Sequence, residues 1–146
     1  MSAAAVARKL GGKRVLRREI TSELELVEAV RAGLPASALD HFMSEAAAWV
    51  GSQADVYRVV GSARTLQRKR TARIALSADE SDRLARLARL LVRAEEALGD
   101  PEKAHRWLLR PNRALGGQRP LTLLDSDAGA LAVERTLGRI EHGVFG

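Results

Sequence analysis

Apolar residues recur at helical spacing along most of the chain. After Ser22, the positions Leu26, Val27, Val30 and Leu34 share one helical face, and Gly33-Leu34-Pro35 predicts where that helix stops. A second helix is predicted from Ser37 to about Val50, with Leu39, Phe42, Met43, Ala46, Ala47 and Val50 turned inward and Trp49 counted with the core. Val56, Val59 and Val60 mark a short helix that ends at Gly61, whose permissive backbone suits a tight turn. Ser62 then stands as the N-cap of a further helix with Leu66 facing the core.

The second half repeats the pattern with stronger punctuation. Ser77-Ala78-Asp79-Glu80 is a capping box that launches a long helix ending at Gly99. Its stripe of Leu84, Leu87, Ala88, Leu91, Ala94, Ala97 and Leu98 makes it a core element and a candidate dimer seam. Arg83, Arg86, Arg89 and Arg93 fall on its other surface and read as a solvated face, partly balanced by Glu80, Asp82 and Glu96. Asp100-Pro101 caps and opens a helix that carries Ala104, Trp107 and Leu108 inward before Pro111 ends it. Gly116-Gly117 predicts a turn, Pro120 opens a short helix with Leu121, Leu123 and Leu124, and Asp125-Ser126-Asp127 caps the last helix. That helix holds Ala130, Leu131, Val133, Leu137 and Ile140 and breaks at His142-Gly143. Period-two alternation is hard to find, so the expected class is all-α.

Composition narrows the function classes. Hydrophobic residues make up 46% of the 146 positions but aromatics only 3%, so Leu, Ala and Val must fill the core. There is no Cys, which removes disulfides and thiolate metal sites. His41 and His105 lack a second ligand at metal spacing, and no Gly-rich loop lies between a strand and a helix. Neither a catalytic set, a metal site nor a cofactor is predicted, and an enzyme is the least favoured class. No apolar run approaches a membrane span or a signal segment, so a soluble, cytoplasmic protein is expected, with no membrane partner.

Charge is more informative when mapped than when summed. The net charge of +6 lies wholly in residues 1–78, with 13 basic and 7 acidic residues, whereas residues 79–146 carry 11 of each. Such asymmetry predicts an anionic partner for the first half and a different task for the second. Residues 1–20 hold Arg8, Lys9, Lys13, Arg14, Arg17 and Arg18 with little apolar periodicity, and are expected to form a flexible basic arm, either solubilising or phosphate-seeking. Residues 21–76 follow the helix, glycine turn, helix plan of a helix-turn-helix bundle. On its second helix Arg64, Gln67, Arg68, Lys69 and Arg70 are expected to point mostly outward, with no acidic residue between Ala63 and Ile74. Gln and Arg can address adenine and guanine edges in the major groove while neighbouring cations hold phosphates. The predicted DNA contacts are therefore Arg58, Ser62, Arg64, Thr65, Gln67, Arg68, Lys69, Arg70 and Arg73. Paired half-sites favour a homodimer.

Residues 77–146 then form a second, helical domain. Its Gly99-Asp100, Trp107-Leu108, Pro111-Asn112, Leu115-Gly116-Gly117, Pro120-Leu121-Thr122-Leu123-Leu124, Gly129 and Leu137-Gly138-Arg139-Ile140-Glu141-His142-Gly143 resemble the toxin-binding domain of the MbcA/ParS/Xre antitoxin family. The preceding Val60-Gly61-Ser62-Ala63-Arg64-Thr65-Leu66-Gln67-Arg68-Lys69 is similar to the Xre-type helix-turn-helix of that family. The resemblance implies an antitoxin of a type II system that neutralises a RES-type, NAD-consuming toxin and represses its own operon through operator DNA. It also implies toxin contact, expected through Asn112, Arg113, Arg135, Arg139, His142, Gly143, Val144, Phe145 and Gly146; because an NAD pocket must attract pyrophosphate, Arg139, Phe145 or the terminal carboxylate is expected to enter it. A stand-alone Xre-type transcriptional regulator is the alternative.

Overall fold

The computed structural model describes residues 2–46 and 53–143, and every regular element among them is a helix. In chain order these are α1 (Ala3–Lys9), α2 (Gly12–Leu16), α3 (Glu23–Ala32), α4 (Ala36–Ala46), α5 (Gln53–Val60), α6 (Ala63–Ala72), α7 (Ala78–Leu98), α8 (Pro101–Leu109) and α9 (Asp127–Glu141). Two 3-10 turns, Arg113–Leu115 and Pro120–Asp125, lie between α8 and α9. The predicted Ala47, Trp49 and Val50 lie outside the described residues.

The predicted caps form as local chemistry requires. Ser22, Ser62, Ser77, Asp100 and Ser126 each accept a backbone N–H three residues on, and Glu80 returns the bond to the Ser77 N–H at 2.8 Å. Gly99 closes α7 in the left-handed region, and Pro101 opens α8.

Residues 1–20 do not form an arm. Ser2 caps α1, and Ala3, Val6, Ala7 and Leu10 are buried at the i, i+3, i+4, i+7 spacing of one helical face. Val6 and Leu10 are fully buried, Leu16 and Ile20 continue the contact, and α1 packs on α3 and α7. Lys9 is held by Glu95 of α7 at 3.0 Å. Small alanines carry much of this face, which is why six cations obscured it in the sequence.

α7 is the axis of the molecule. Its predicted stripe is buried from Leu84 to Ala94, with Ala97 and Leu98 half-buried, but Ala85, Leu90 and Val92 are buried too, because α1, α3, α5, α8, α9 and the second 3-10 turn pack around it. The helix is thereby enclosed, which removes it as a dimer seam. Its arginines also depart from the expected solvated face. Arg86 pairs with Asp127 of α9, Arg89 with Glu23 of α3 at 2.5 Å, and Arg93 with Glu134 and Glu141 of α9 at 3.0 and 2.7 Å. Arg83 donates to the Val60 carbonyl at 3.4 Å. Each guanidinium reaches past the apolar stripe to a neighbouring element. One hydrophobic cluster consequently runs from Ala3 to Leu137 through both halves of the chain.

Two glycines reverse the roles their sequence context suggests. Gly61 has an ordinary φ, and a Cβ there would meet Glu80 no closer than 3.6 Å, so the turn between α5 and α6 does not depend on glycine. It is closed instead by the Gly61 N–H bonded to the Tyr57 carbonyl at 2.7 Å and by the Ser62 cap. At Gly129, by contrast, a Cβ would lie 1.9 Å from the Leu123 carbonyl oxygen, so only glycine lets α9 start against the second 3-10 turn.

Candidate DNA and toxin interfaces

Helical geometry sorts the cation run of α6 into two sets. Leu66 is fully buried, and residues three and four positions later fall on the same side of a helix. Lys69 and Arg70 therefore turn inward. The Lys69 Nζ sits 2.6 Å from Glu80 Oε1, with side chains only 14% and 11% exposed. Burial alone would raise the Glu80 pKa, but the Lys69 ammonium and the Ser77 N–H outweigh it and hold that carboxyl below the usual carboxylate range. Arg70 donates to Asp40 of α4 and, at 2.5 Å, to the Tyr57 hydroxyl of α5. Both residues bind the bundle together, which corrects their assignment as outward-facing DNA contacts.

The rest of the predicted surface is presented to solvent. Arg64, Gln67 and Arg68 are exposed along the outer face of α6, and Arg58 is exposed on α5. Arg73 is exposed where α6 ends in the left-handed region, at φ 58°. None of these four guanidinium groups has a hydrogen-bond or ion-pair partner among the described residues. Thr65 is half-buried, and the Ser62 hydroxyl accepts the Thr65 N–H, so Ser62 acts in the fold as a cap. Gln53, Ala54, Tyr57, Arg58, Gly61, Ala63 and Gln67 line an open crevice between α5 and α6.

Two contacts invisible to local pattern tie this module to the second half. Arg119, just before the second 3-10 turn, pairs with Asp55 of α5 at 3.2 Å. That turn also packs directly on α5. A residue 64 positions distant gives no periodic signal, and only the folded arrangement finds it.

In the second half the residues 112–118 form a closed turn. Asn112 Oδ1 accepts the Ala114 N–H at 2.9 Å, and its backbone bonds Leu115, Gly117 and Gln118. Asn112 thus has a structural task, whereas Arg113 is exposed. On α9, Val133, Thr136 and Leu137 face inward. Leu131, one of the apolar residues of this helix, is 48% exposed. With Arg135, Gly138, Arg139 and His142 it lies on the outward side at i, i+4, i+7, i+8 and i+11. Arg139 donates to Thr136 Oγ1 at 3.2 Å, and beyond its chain neighbours and its own helix backbone nothing lies within 4 Å of where a Gly138 Cβ would stand. Gly143 is exposed at the end of the described residues, and Val144, Phe145 and Gly146 lie outside them.

Among the described residues no group of three or more His, Asp or Glu side chains is placed to hold a metal ion, and no helix is long and apolar enough to cross a membrane. The fold defines an all-α helix-turn-helix protein with a helical C-terminal half. Comparison with known proteins makes this specific. Residues 25–89 match the antitoxin Xre-like helix-turn-helix domain, and residues 93–143 match the antitoxin Xre/MbcA/ParS C-terminal toxin-binding domain. The two matches meet inside α7, which both halves share. "Antitoxin Xre" of Photorhabdus laumondii subsp. laumondii is 37% identical over 114 residues, covering 77% of this chain and 75% of the relative. "Antitoxin Xre" of Yersinia enterocolitica is 34% identical over 122 residues, covering 82% and 80%. The "Prs ADP-ribosylating antitoxin" of Sphingobium sp. is 29% identical over 133 residues, covering 85% and 82%. The chain belongs to the Xre/MbcA/ParS antitoxin family and is an antitoxin of a toxin–antitoxin system.

Proposed function

We propose that this antitoxin neutralises a RES-type toxin that consumes NAD, and that it represses its own operon as a homodimer in the cytoplasm. The observation that carries the toxin half is the outward face of α9. A large apolar side chain, Leu131, stands exposed there among Arg135, Arg139 and His142, on a helix whose other side is buried. Gly138 sits on the same face, where glycine costs helix stability and no internal contact requires it. A partner backbone approaching closely would account for it. A relative named for ADP-ribosylation adds support, since that chemistry draws on NAD.

The mechanism follows from what α9 presents. Its apolar and cationic face docks on the toxin, and Arg139, His142 and the residues after Gly143 block access to the NAD pocket. Asn112 closes the 112–118 turn, whose 3-10 segment packs on α9, while Arg93 clasps Glu141 and fixes the end of α9. For DNA, Arg64, Gln67 and Arg68 address the major groove, with Arg58 and Arg73 on flanking phosphates. The Asp55–Arg119 pair joins the two modules, so toxin capture and operator affinity are linked.

NAD consumption by the neighbouring RES protein, measured with the antitoxin titrated in, tests the toxin half. Full inhibition is expected from the native chain. Leu131→Glu should raise the inhibitory concentration at least tenfold with an unchanged melting temperature, and equal potency would refute the α9 interface. Light scattering of the free antitoxin tests the dimer, and a monomer at operator-binding concentrations would overturn it.

A further inference from the structure

The first two helices lie ahead of the residues matched by the helix-turn-helix family model, yet they are part of the core. Of the six cations of residues 1–20, Lys9 and Arg18 are paired with Glu95 and Glu28 at 3.0 and 3.4 Å. The side chains of Arg8, Lys13, Arg14 and Arg17 have no hydrogen-bond or ion-pair partner among the described residues, and all four residues are exposed. Glu19 is the sole acidic residue between positions 1 and 22. The α2 helix ends at Arg17 in the left-handed region, with φ 60°.

The position of Arg17 matters more than its charge. It lines a groove with Val15, Pro35, Asp40, Arg70 and Arg73. The adjoining groove is lined by Asp40, Arg70, Tyr57, Gln67 and Thr71, so the two share Asp40 and Arg70. The two grooves therefore adjoin at the Asp40–Arg70 pair, one reaching Gln67 on the outer face of α6 and the other reaching Arg17 and Arg73 at its far end. Asp40, the acidic side chain they share, is already paired with Arg70. The remaining charge of the far end is positive.

We propose that α2, through Arg17 and Arg14, is a second DNA-contacting element that grips backbone phosphates beside the α6 helix. The proposal rests on α6 being the helix that enters the major groove. A helix seated there brings the ends of adjacent elements over the bordering sugar-phosphate strands, where unpaired cations gain from counterion release. Phosphates carry no sequence information, so this grip adds affinity without specificity. Adjacency to the α6 surface, with Arg73 of that helix's end lining the same groove as Arg17, favours duplex DNA over an acidic protein as the occupant.

The test uses the full-length antitoxin and fluorescence anisotropy with the duplex upstream of its own gene, and with a scrambled duplex, across a salt series. The double variant Arg14→Gln, Arg17→Asn keeps a residue that tolerates the left-handed region at position 17. Its slope of log K against log salt should fall by about 1.8, roughly 0.9 for each lost phosphate contact, with a tenfold to thirtyfold weakening on both duplexes near physiological salt. The melting temperature should not move. If native protein binds DNA and Arg64→Ala or Arg68→Ala weakens it, while the double variant keeps native slope and affinity, the α2 grip is refuted and the α6 reading stands. If native protein binds neither duplex, both fail. A loss of toxin affinity with DNA binding intact would assign the patch to the toxin and overturn the proposal.

Discussion

Replacing Lys69 by Met should unfold the protein more readily, not strip it from DNA, although its neighbour Arg68 should do the reverse. Lys69 and Glu80 lie 2.6 Å apart with side chains 14% and 11% exposed. Exposed ion pairs contribute at most about 1 kcal/mol, whereas removing one partner of a fully buried pair costs about 3–5 kcal/mol. Glu80 keeps its bonds to Ser77, so we place the loss at about 2–3 kcal/mol, between those limits. For a chain of this size, about 3 °C per kcal/mol gives a fall in melting temperature of roughly 6–9 °C. Because the folded-state pKa of Glu80 is depressed, the pair's stabilisation is present at neutral pH and is lost as pH falls through that depressed value. Thermal melts by circular dichroism should therefore show native and Lys69→Met proteins separated at pH 7 and converging in acid. Anisotropy on the operator should show a near-native salt slope for Lys69→Met and a reduced one for Arg68→Ala, whose melting temperature stays native. A Lys69→Met protein of unchanged stability with a reduced salt slope would refute the division of α6 into an inner and an outer face.

Three further outcomes are expected. Gly129→Ala forces a Cβ against the Leu123 carbonyl and should destabilise by about 2 kcal/mol or more, read by chemical denaturation; a neutral result would mean the α9 start can shift freely. Gly138→Ala should stabilise the free antitoxin by about 0.5–1 kcal/mol while weakening toxin capture several-fold, and tighter or unchanged capture would remove the close-approach argument. Arg93→Met should speed amide exchange over Arg139–His142 at neutral pH. The Arg93 hydrogen bond depresses the Glu141 pKa, so in the native protein the same loosening should set in as acid neutralises that carboxylate; exchange independent of both changes would show that the clasp does not restrain α9.

Much of this was legible because it is decided within a few residues of sequence. Ser-initiated caps, the Ser77–Glu80 box, Gly99 and Pro101 act over one helical turn, and the buried stripe of α7 repeats over two. The inward turn of Lys69 and Arg70 was also within reach, since fixing Leu66 as buried places positions 69 and 70 on its side. The basic appearance of residues 1–20 misled because charge count says nothing about which side of a short alanine-rich helix is covered. The apolar character of Leu131 assigned it no side, since it fits either a core or an exposed docking face.

By itself the sequence determined that the chain is helical, where most helices begin and end, and that its cations crowd into one half, because each of these depends on local backbone and capping chemistry. Only the tertiary structure decided which cations remain free. The α7 arginines and Lys9, Lys69 and Arg70 found carboxylates or other acceptors up to 86 residues away, and that pairing left Arg58, Arg64, Arg68 and Arg73 exposed on the helix-turn-helix, with Arg14 and Arg17 on α2. Whether a charge stabilises the fold or meets a partner depends on what packs beside it, and that is a property of the three-dimensional arrangement.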